Sequence, residues 1–546
     1  MLEGCVPWPE DLAARYRAGG WWEGLTIFEM VGRTAARDPA KTALVHGERR
    51  VAYGELVAIA ERLARGFAAL GLRPLDRVVV QLPNGLEFVF VYLALTRLGA
   101  IPVMALRAHR EAEVRHFIGA SAAVAYVIAD VASGFDYRSM AADMQASFPA
   151  LHHVVVAGEP HAGQHALASL LTGPAGRDDE LTPLPRPNPA DVATMLLSGG
   201  TTSMSKLIPR THDDYVLNAR LCAAAAGFDA STVLLAILPL GHNYNLASPG
   251  LLGAFYVGAT VVIAGGTDTE HIFTLVERER VTVIAAVVPL IAHWLQSGAA
   301  QRHDLSSLQV VQNGGARLPP ELRARLRAEF GCLPQEVYGT AEGLINMTRR
   351  ADDDETLLHS SGTPVSGLDE IRVLGDDERE LPDGEPGELV TRGPYTIRGY
   401  YRAPEKNAEA FLPGGWYRMG DVVRKRGRSV FAEGRRTDRI NRGGEKINCD
   451  EIESLIVAHP KVKLAALVAL ADPVFGEKAC ACIVPQPGES LTLDELVGFL
   501  RLQRIASFKL PERLELMSEF PLSPVGKILK RTLRERIEAS LPSSPG

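Results

Sequence analysis

Cysteine is scarce in this sequence: there are six in 546 residues, and no two of them form a Cys-x-x-Cys pair. A structural zinc site needs clustered thiolates and a disulfide-stapled fold needs dense cysteines, so neither is expected. The six are expected to be reduced thiols, several of them buried. The composition, 46% hydrophobic and 23% charged, is that of an ordinary globular protein.

The sequence also lacks a membrane-spanning run, a secretory signal and a dense basic block. Its longest apolar stretch, Thr282 to Leu295, contains Pro289 and His293 and falls short of the ~18 residues that a spanning helix needs. The first residues carry acid where a signal peptide carries base. The net charge is −7, which argues against a nucleic-acid partner. We therefore expect a cytoplasmic protein with no membrane or nucleic-acid contact.

The chain is long, and predicted strands alternate with helices over much of it. At 546 residues it is too long for one compact core, and two or more domains are expected. From residue 191 onward strands, such as 282–288, alternate with helices, which predicts an α/β fold of parallel or mixed sheets flanked by helices. A polar, charged segment at 434–441 precedes a smaller α+β pattern. We predict a large N-terminal domain over 1–436 and a small C-terminal domain over 437–546.

One stretch, Ser198 to Lys206, reads Ser-Gly-Gly-Thr-Thr-Ser-Met-Ser-Lys directly after an apolar run. Glycines let backbone N–H groups approach phosphate, hydroxyls donate to it, and lysine supplies charge. The spacing is not that of a Walker loop, and alone the stretch fits a plain Gly/Ser/Thr turn equally well. The residues expected to contact a nucleotide are Ser198, Gly199, Gly200, Thr201, Thr202 and Lys206.

Two further glycine-containing motifs, Gly314 to Arg317 and Tyr338 to Glu342, each follow a predicted strand. Ligands of parallel sheets collect at such strand ends. The stretch from Tyr338 to Glu342 offers an aromatic face for a purine, a hydroxyl for phosphate and a carboxylate for Mg2+. A glutamate beside a glycine is, by itself, more typical of a solvated loop. The candidate nucleotide contacts in the two motifs are Gly314, Gly315, Ala316, Arg317, Tyr338, Gly339 and Thr340.

Two charged residues late in the chain complete the set. Asp421 follows a glycine and could accept from both hydroxyls of a ribose, although an aspartate there also caps its own turn. Lys527 follows a Pro-x-Gly turn near the end of the chain. A carboxylate and ATP repel, so a cation between them would stabilise the charge that develops on reaction. The basic neighbours of Lys527 fit a solvated helix face as well.

In this order the motifs resemble those of the adenylate-forming superfamily, which contains acyl-CoA synthetases, nonribosomal peptide adenylation domains and luciferases. The resemblance runs from Trp8 to about Arg536 and implies ATP and Mg2+ as cofactors and a mobile small domain. The implied roles are ribose or phosphate contact for Asp421 and Arg435, metal ligation for Glu342, catalysis for Lys527 and His242, and a thiol tunnel at Gly443 and Gly444.

The stretch around His242 bears on the substrate. The Asn243 amide could bond a hydroxyl or amino group ortho to a carboxylate, and Tyr244 could lie against an aryl ring. The segment resembles that of stand-alone aryl-acid AMP ligases of siderophore pathways, although a turn with a packed histidine is the plain alternative. By that resemblance Ser248 favours 2,3-dihydroxybenzoate and Ile345 a smaller acid. We rank 2,3-dihydroxybenzoate ahead of salicylate, and anthranilate is also compatible.

The resemblance implies two half-reactions in siderophore or nonribosomal peptide biosynthesis. The acid and Mg-ATP give aryl-AMP and pyrophosphate, and a phosphopantetheine thiol of an aryl carrier protein then takes the aryl group. One alternative is an aryl-CoA ligase, which uses free CoA. Another is a catalytically silent relative that only binds nucleotide or aryl acid.

Overall fold

The structure is a computed structural model that describes residues 1–172, 183–198, 205–435, 440–442, 445–447, 449–472, 475–503, 505, 507–523 and 526–540. Helices and strands alternate through most of it. The helices are α1 (Glu10–Ala18), α2 (Ile27–Arg37), α3 (Tyr53–Ala69), α4 (Leu86–Leu98), α5 (Glu111–Ser121), α6 (Tyr137–Ser147), α7 (Leu167–Thr172), α8 (His212–Ala226), α9 (Asn243–Ala247), α10 (Gly250–Val257), α11 (Thr269–Glu279), α12 (Val288–Ser297), α13 (Pro320–Phe330), α14 (Asp354–His359), α15 (Pro404–Ala410), α16 (Cys449–Val457), α17 (Leu493–Leu502) and α18 (Lys530–Ser540).

The strands form two large sheets, two smaller sheets and one short hairpin. They are β1 (Thr42–His46), β2 (Arg49–Ala52), β3 (Arg77–Gln81), β4 (Ile101–Met104), β5 (Ala125–Ala129), β6 (Val131–Ala132), β7 (Phe135–Asp136), β8 (His153–Ala157), β9 (His165–Ala166), β10 (Val192–Leu197), β11 (Leu207–Thr211), β12 (Val233–Ala236), β13 (Thr260–Ile263), β14 (Val283–Ala286), β15 (Val310–Gly314), β16 (Leu333–Thr340), β17 (Gly343–Met347), β18 (Thr363–Pro364), β19 (Glu370–Leu374), β20 (Gly387–Arg392), β21 (Phe411–Leu412), β22 (Trp416–Arg426), β23 (Ser429–Arg435), β24 (Ile440–Arg442), β25 (Glu445–Ile447), β26 (Val462–Asp472), β27 (Gly476–Pro485) and β28 (Arg513–Leu516).

The largest sheet has the order β18-β17-β16-β15-β14-β12-β13-β1-β2. Its inner neighbours from β16 to β1 pair in parallel, and the strands at both edges are antiparallel. The second large sheet, β11-β10-β4-β3-β5-β8-β9, is likewise parallel except for the edge pair β10 and β11. Buried strands of this kind are apolar along most of their length, as β10 is, in which Thr194 is the one polar residue. The predicted mixed sheets flanked by helices are therefore confirmed.

The two smaller sheets are formed by different parts of the chain. Strand β23 ends at Arg435 in a sheet with β19 to β22, whereas β24 begins at Ile440 in a sheet with β25 to β28. The predicted division at 436/437 falls between these two strands and stays a prediction. The last sheet carries apolar clusters on both faces, one beneath α16 and α17 and one beneath α18. Helix α17 begins with a capping box, in which Thr492 and Glu495 are bonded reciprocally.

Two sequence expectations need correction. The strand expected over 282–288 ends at Ala286, and helix α12 begins at Val288 with Pro289 in its first turn. Proline is favoured there because the first helical N–H groups need no intrahelical partner. Gly339 and Thr340 were expected to follow a strand but are its last residues, because β16 continues along its antiparallel neighbour β17.

Candidate active site

The predicted phosphate loop connects the antiparallel strands β10 and β11. Its two ends are joined, because Ser198 N donates to the Lys206 carbonyl at 3.0 Å and Lys206 N donates to Ser198 Oγ at 2.9 Å. The side chain of Lys206 lies over the ring of Tyr400, with Nζ 4.4 Å from the ring centroid and 3.4 Å from Oη. Four predicted contacts lie outside the described residues: Gly199, Gly200, Thr201 and Thr202.

Tyr400 links this lysine to the candidate metal ligand. Its Oη donates to Glu342 Oε1 at 2.9 Å, and Glu342 is 7% exposed. The turn that carries Glu342 is held on both sides: Thr340 Oγ1 donates to the Gly343 carbonyl at 2.9 Å, and Arg210 donates to the Ala341 carbonyl at 2.9 Å. Sequence reasoning missed Tyr400, and the only signal for it was a pair of tyrosines after a glycine in a segment without periodicity.

A second tyrosine meets the candidate ribose ligand. Tyr338 Oη donates to Asp421 Oδ2 at 2.7 Å, and Asp421 is buried. Tyr338 stands on β16, and the register of β16 against β15 sets Val337 beside Gly314, so Tyr338 lies close to the end of β15. Asp421 pairs across β22 and β23 with the backbone of Arg435, whose side chain is not described. Two predicted motifs and Asp421 therefore meet at one edge of the largest sheet.

The Gly-Gly-Ala-Arg motif was expected to follow a strand, but its first residue, Gly314, is the last residue of β15, and the turn begins at Gly315. Gly315 has φ +86°, a left-handed conformation that favours glycine. A Cβ built on Gly315 would lie 3.2 Å from Lys527 Cε, so the bare backbone also makes room for that lysine. The Ala316 carbonyl accepts from Asn313 at 2.7 Å, and Arg317 donates to the His359 carbonyl at 3.0 Å.

Lys527 comes from the far end of the chain. Its own turn is tight, since Ser523 N donates to the Lys527 carbonyl at 2.7 Å and Lys527 N donates to Ser523 Oγ at 3.0 Å. The side chain borders one cavity together with His242 and Gly315. Burial, and then the positive charge of Lys527, lower the pKa of His242 to about 4. His242 is therefore a neutral imidazole near pH 7, and its Nδ1 accepts from Tyr244 N at 3.4 Å.

The candidate acid-binding residues begin a short helix rather than a turn, with His242 at the N-cap of α9. The Asn243 amide is bonded on both sides: its Oδ1 accepts from Tyr215 Oη at 2.8 Å and its Nδ2 donates to Ser248 Oγ at 3.2 Å. Asn243 and Ser248 therefore act as a connected pair, and the effects of changing them are coupled. Tyr215 was missed because α8 is buried on most sides, so its sequence reads as plain core.

The other two candidate residues pack against glycines. The ring of Tyr244 lies on Gly314, where an added Cβ would come within 2.7 Å of the ring, and its buried Oη has no partner within the described residues. Ile345 sits opposite Gly339 in the β16–β17 register, and a Cβ on Gly339 would be 2.7 Å from Ile345 Cδ1. Both large side chains thus occupy space that exists only because their neighbours are glycines.

A cleft separates the turn after β15 from the small domain. Val287 and Gly315 line one wall, and Asp450, Ser454 and Ile528 line the other. The predicted tunnel glycines Gly443 and Gly444 lie outside the described residues. In the part of the chain that is described, no three His, Cys, Asp or Glu side chains group as metal ligands. Likewise, none of the helices described is both long and apolar enough to cross a bilayer.

Comparison with known proteins gives a consistent result. The model of the family "AMP-binding enzyme" matches residues 31–401, and that of the "AMP-binding enzyme C-terminal domain" matches residues 451–527. The chain is 45% identical to a 2,3-dihydroxybenzoate-AMP ligase of Bacillus subtilis, covering 99% of both chains. It is 44% identical to a salicyl-AMP ligase / salicyl-S-ArCP synthetase of Mycobacterium tuberculosis, covering 97% of this chain and 94% of the relative.

Among solved structures, the chain resembles the apo structure of MbtA from Mycobacterium smegmatis. The sequence identity is 39% and the TM-score is 0.74, with 98% of this chain and 99% of the other covered. The similarity therefore spans both the large and the small domain.

Proposed function

The chain belongs to the AMP-binding enzyme family of adenylate-forming ligases, and from this we propose that it activates an ortho-substituted aryl carboxylic acid, 2,3-dihydroxybenzoate or salicylate, with ATP. The products of the first step would be aryl-AMP and pyrophosphate, and the aryl group would then pass to a carrier-protein thiol. One observation carries the proposal: Lys527, from the small domain, lines the same cavity as His242 and Gly315 of the large domain.

In the first half-reaction a carboxylate oxygen attacks the α-phosphorus of ATP. An oxygen–phosphorus bond forms, the bond from the α-phosphorus to the bridging oxygen breaks, and pyrophosphate leaves. Lys527 is proposed to stabilise the negative charge shared by carboxylate and α-phosphate as they approach. His242, kept neutral by its surroundings, would border the reacting carboxylate without adding a second charge.

For the nucleotide we propose Tyr338 as the adenine face and Asp421 as the acceptor of the ribose hydroxyls, with Arg435 nearby. The existing bond between Tyr338 and Asp421 would keep both side chains ready for the nucleoside. The backbone of the predicted phosphate loop and of Gly314 to Arg317 would receive the phosphates, and Lys206 would neutralise them.

Glu342 fits Mg2+, because its carboxylate is buried and, among the residues that the structure describes, only one of its oxygens is bonded, to Tyr400. A lone protein carboxylate suits this ion, which usually completes its coordination with waters and substrate phosphates. When bound, Mg2+ would offset the charge of the triphosphate.

For the acid we propose that Asn243 and Ser248 bind the ortho and neighbouring hydroxyls while Tyr244 and Ile345 contact the ring. Ser248 supports 2,3-dihydroxybenzoate, which is also the acid in the name of the Bacillus subtilis relative. Salicylate ranks second, since the Mycobacterium tuberculosis relative carries it in its name.

For the acceptor we propose the phosphopantetheine thiol of an aryl carrier protein, in a siderophore or nonribosomal peptide pathway in the cytoplasm, where ATP is available. The thiol attacks the aryl carbonyl, a thioester forms, AMP leaves and the thiol proton is lost to solvent. Between the steps the small domain would rotate, withdraw Lys527 and bring Gly443 and Gly444 to the thiol arm. A relative named salicyl-S-ArCP synthetase supports a carrier protein as acceptor, and a relative named salicylyl-CoA synthase supports the alternative, free CoA.

The test is ATP–pyrophosphate exchange over 2,3-dihydroxybenzoate, salicylate, anthranilate, benzoate and a fatty acid. Exchange should be confined to ortho-substituted aryl acids and fall at least a hundredfold in Lys527→Ala, the size expected when a group that stabilises developing charge is removed. Lys406→Ala, which removes an exposed lysine paired with Glu409, is the control and should keep full activity. If exchange occurs with the fatty acid alone, or with none of the five acids, the proposal is refuted. If free CoA accepts the aryl group in place of the carrier thiol, the protein is a CoA ligase.

A further inference from the structure

A line of buried hydrogen bonds runs behind the proposed acid site. Tyr215 donates to Asn243 Oδ1 at 2.8 Å, and Asn243 Nδ2 donates to Ser248 Oγ at 3.2 Å. Cys222, on the same helix as Tyr215, is buried beside them. All four side chains are buried. An asparagine amide has one acceptor oxygen and two N–H donors, so within the described residues these bonds leave one N–H of Asn243 for a ligand.

We propose that Tyr215 is a positioning residue that fixes which way the Asn243 amide points, so that Asn243 presents an N–H and not its oxygen to the bound acid. The enzyme would then select an ortho substituent that accepts a hydrogen bond, a hydroxyl, over one that donates, an amino group. This inference rests on the proposed function, because it concerns the ortho group of the aryl acid.

The orientation of the amide follows from its neighbours. Within the described residues the Tyr215 hydroxyl bonds only to Asn243. It can therefore donate its hydrogen only if the amide oxygen of Asn243 points toward Tyr215. A reversed amide would leave that buried hydrogen without an acceptor, which costs about 1–3 kcal/mol by general measurements on buried polar groups.

Tyr215 itself has no room to turn away. Its ring is fully buried, and the Arg210 guanidinium stacks on it with Cζ 4.7 Å from the ring centroid. Arg210 is held in turn by Asp214, with Nε to Oδ1 at 2.7 Å, and by its bond to the Tyr395 carbonyl at 3.1 Å. The donor of the hydroxyl bond is therefore anchored independently of any ligand.

The chemistry of the acid gives the direction of the selection. In salicylate the phenolic hydrogen bonds internally to the carboxylate, and the oxygen keeps a lone pair that points outward to receive an N–H. In anthranilate the nitrogen lone pair is delocalised into the ring and the outward group is a second N–H. That N–H would face the N–H of Asn243, and neither would find an acceptor.

The experiment compares Tyr215→Phe with the wild type for salicylate and anthranilate by kcat/KM in exchange, and for these two acids and benzoate by calorimetric Kd. The wild type should prefer salicylate to anthranilate. The variant should lose about three- to tenfold with salicylate, the size of one neutral hydrogen bond, and should leave benzoate unchanged because benzoate has no ortho group. Tyr92→Phe is the matched control, since Tyr92 is another fully buried tyrosine, and it should leave the salicylate-to-anthranilate ratio unchanged.

A second variant tests directly whether residue 243 presents a hydrogen-bond donor or an acceptor to the ortho group. Its result does not depend on how well Tyr215→Phe folds. Asn243→Asp replaces the N–H by a carboxylate oxygen, so the salicylate-to-anthranilate ratio should shift toward anthranilate. An equal loss with all three acids in Tyr215→Phe, an unmoved ratio in Asn243→Asp, or a wild-type preference for anthranilate would each overturn the inference. If the wild type exchanges with none of the aryl acids, the proposed function fails first and the inference falls with it.

Discussion

The contact between Gly314 and Tyr244 gives the sharpest prediction for the site. A Cβ on Gly314 would lie 2.7, 2.8 and 3.1 Å from three atoms of the Tyr244 ring. Ordinary contacts between carbon atoms are about 3.5–4.0 Å, so Gly314→Ala forces the ring to move by close to 1 Å. The ring is rigid and buried, and it cannot yield as the tip of a flexible chain would. Because no left-handed φ is involved at Gly314, the effect is purely one of space.

Overpacking of this kind costs about 1–3 kcal/mol. If Tyr244 contacts the aryl ring as proposed, that cost appears as weaker binding of the acid. At about 1.4 kcal/mol for each factor of ten, the KM for 2,3-dihydroxybenzoate should rise about five- to 150-fold. The assay is pyrophosphate exchange with the acid and ATP varied separately, and the KM for ATP should change much less than that for the acid.

Two comparisons make the reasoning refutable. Gly265→Ala is the control, because a Cβ there meets open space, and it should behave as the wild type. Adding Tyr244→Leu to Gly314→Ala removes the clashing ring, so the two changes should be strongly non-additive. A wild-type KM for the acid in Gly314→Ala, or strictly additive effects in the double variant, would show that the glycine does not act through Tyr244.

Two further predictions concern the pH dependence of stability and the metal. Burial lowers the pKa of His212 from 6.5 to about 3, and its Nδ1 accepts from Ile27 N at 3.1 Å. The His212 imidazole is therefore protonated at a higher pH in the unfolded chain than in the folded protein. Its contribution to the free energy of unfolding is fully present above pH 6.5 and is lost as the pH falls from 6.5 toward 3. Between pH 8 and pH 5 the wild type should lose about 2 kcal/mol of unfolding free energy that His212→Asn does not lose. Glu342→Gln should raise the Mg2+ concentration needed for half-maximal exchange by about tenfold or more.

The readouts are specific in both cases. Denaturant unfolding of wild type and His212→Asn at the two pH values gives the difference in stability change, and parallel behaviour of the two proteins would contradict a buried neutral imidazole. Glu370→Gln, which removes an exposed carboxylate bonded to Arg392, is the control for the Mg2+ titration. Equal Mg2+ dependence of Glu342→Gln and this control would rule out Glu342 as the metal ligand.

The sequence by itself determined the layers and the set of candidate residues. Apolar runs such as β10 specify buried strands, because a strand with both faces covered has no polar side. The capping box of α17 was readable for a similar reason, since both partners lie within four residues of each other. Motifs such as Gly314 to Arg317 could be named because their chemistry is carried by consecutive residues.

The tertiary structure alone decided which of those residues meet. Lys527 and His242 are 285 positions apart in the chain, and only the packing of the small domain brings both to one cavity. Tyr400 beside Glu342 and Tyr215 behind Asn243 could not be read from their own segments, because a buried tyrosine in a helix or loop reads as core until its hydroxyl has a partner. Local interactions depend on neighbours in sequence, whereas these hydrogen bonds depend on how distant elements pack. The proposed selectivity of the site rests on hydrogen bonds between distant elements.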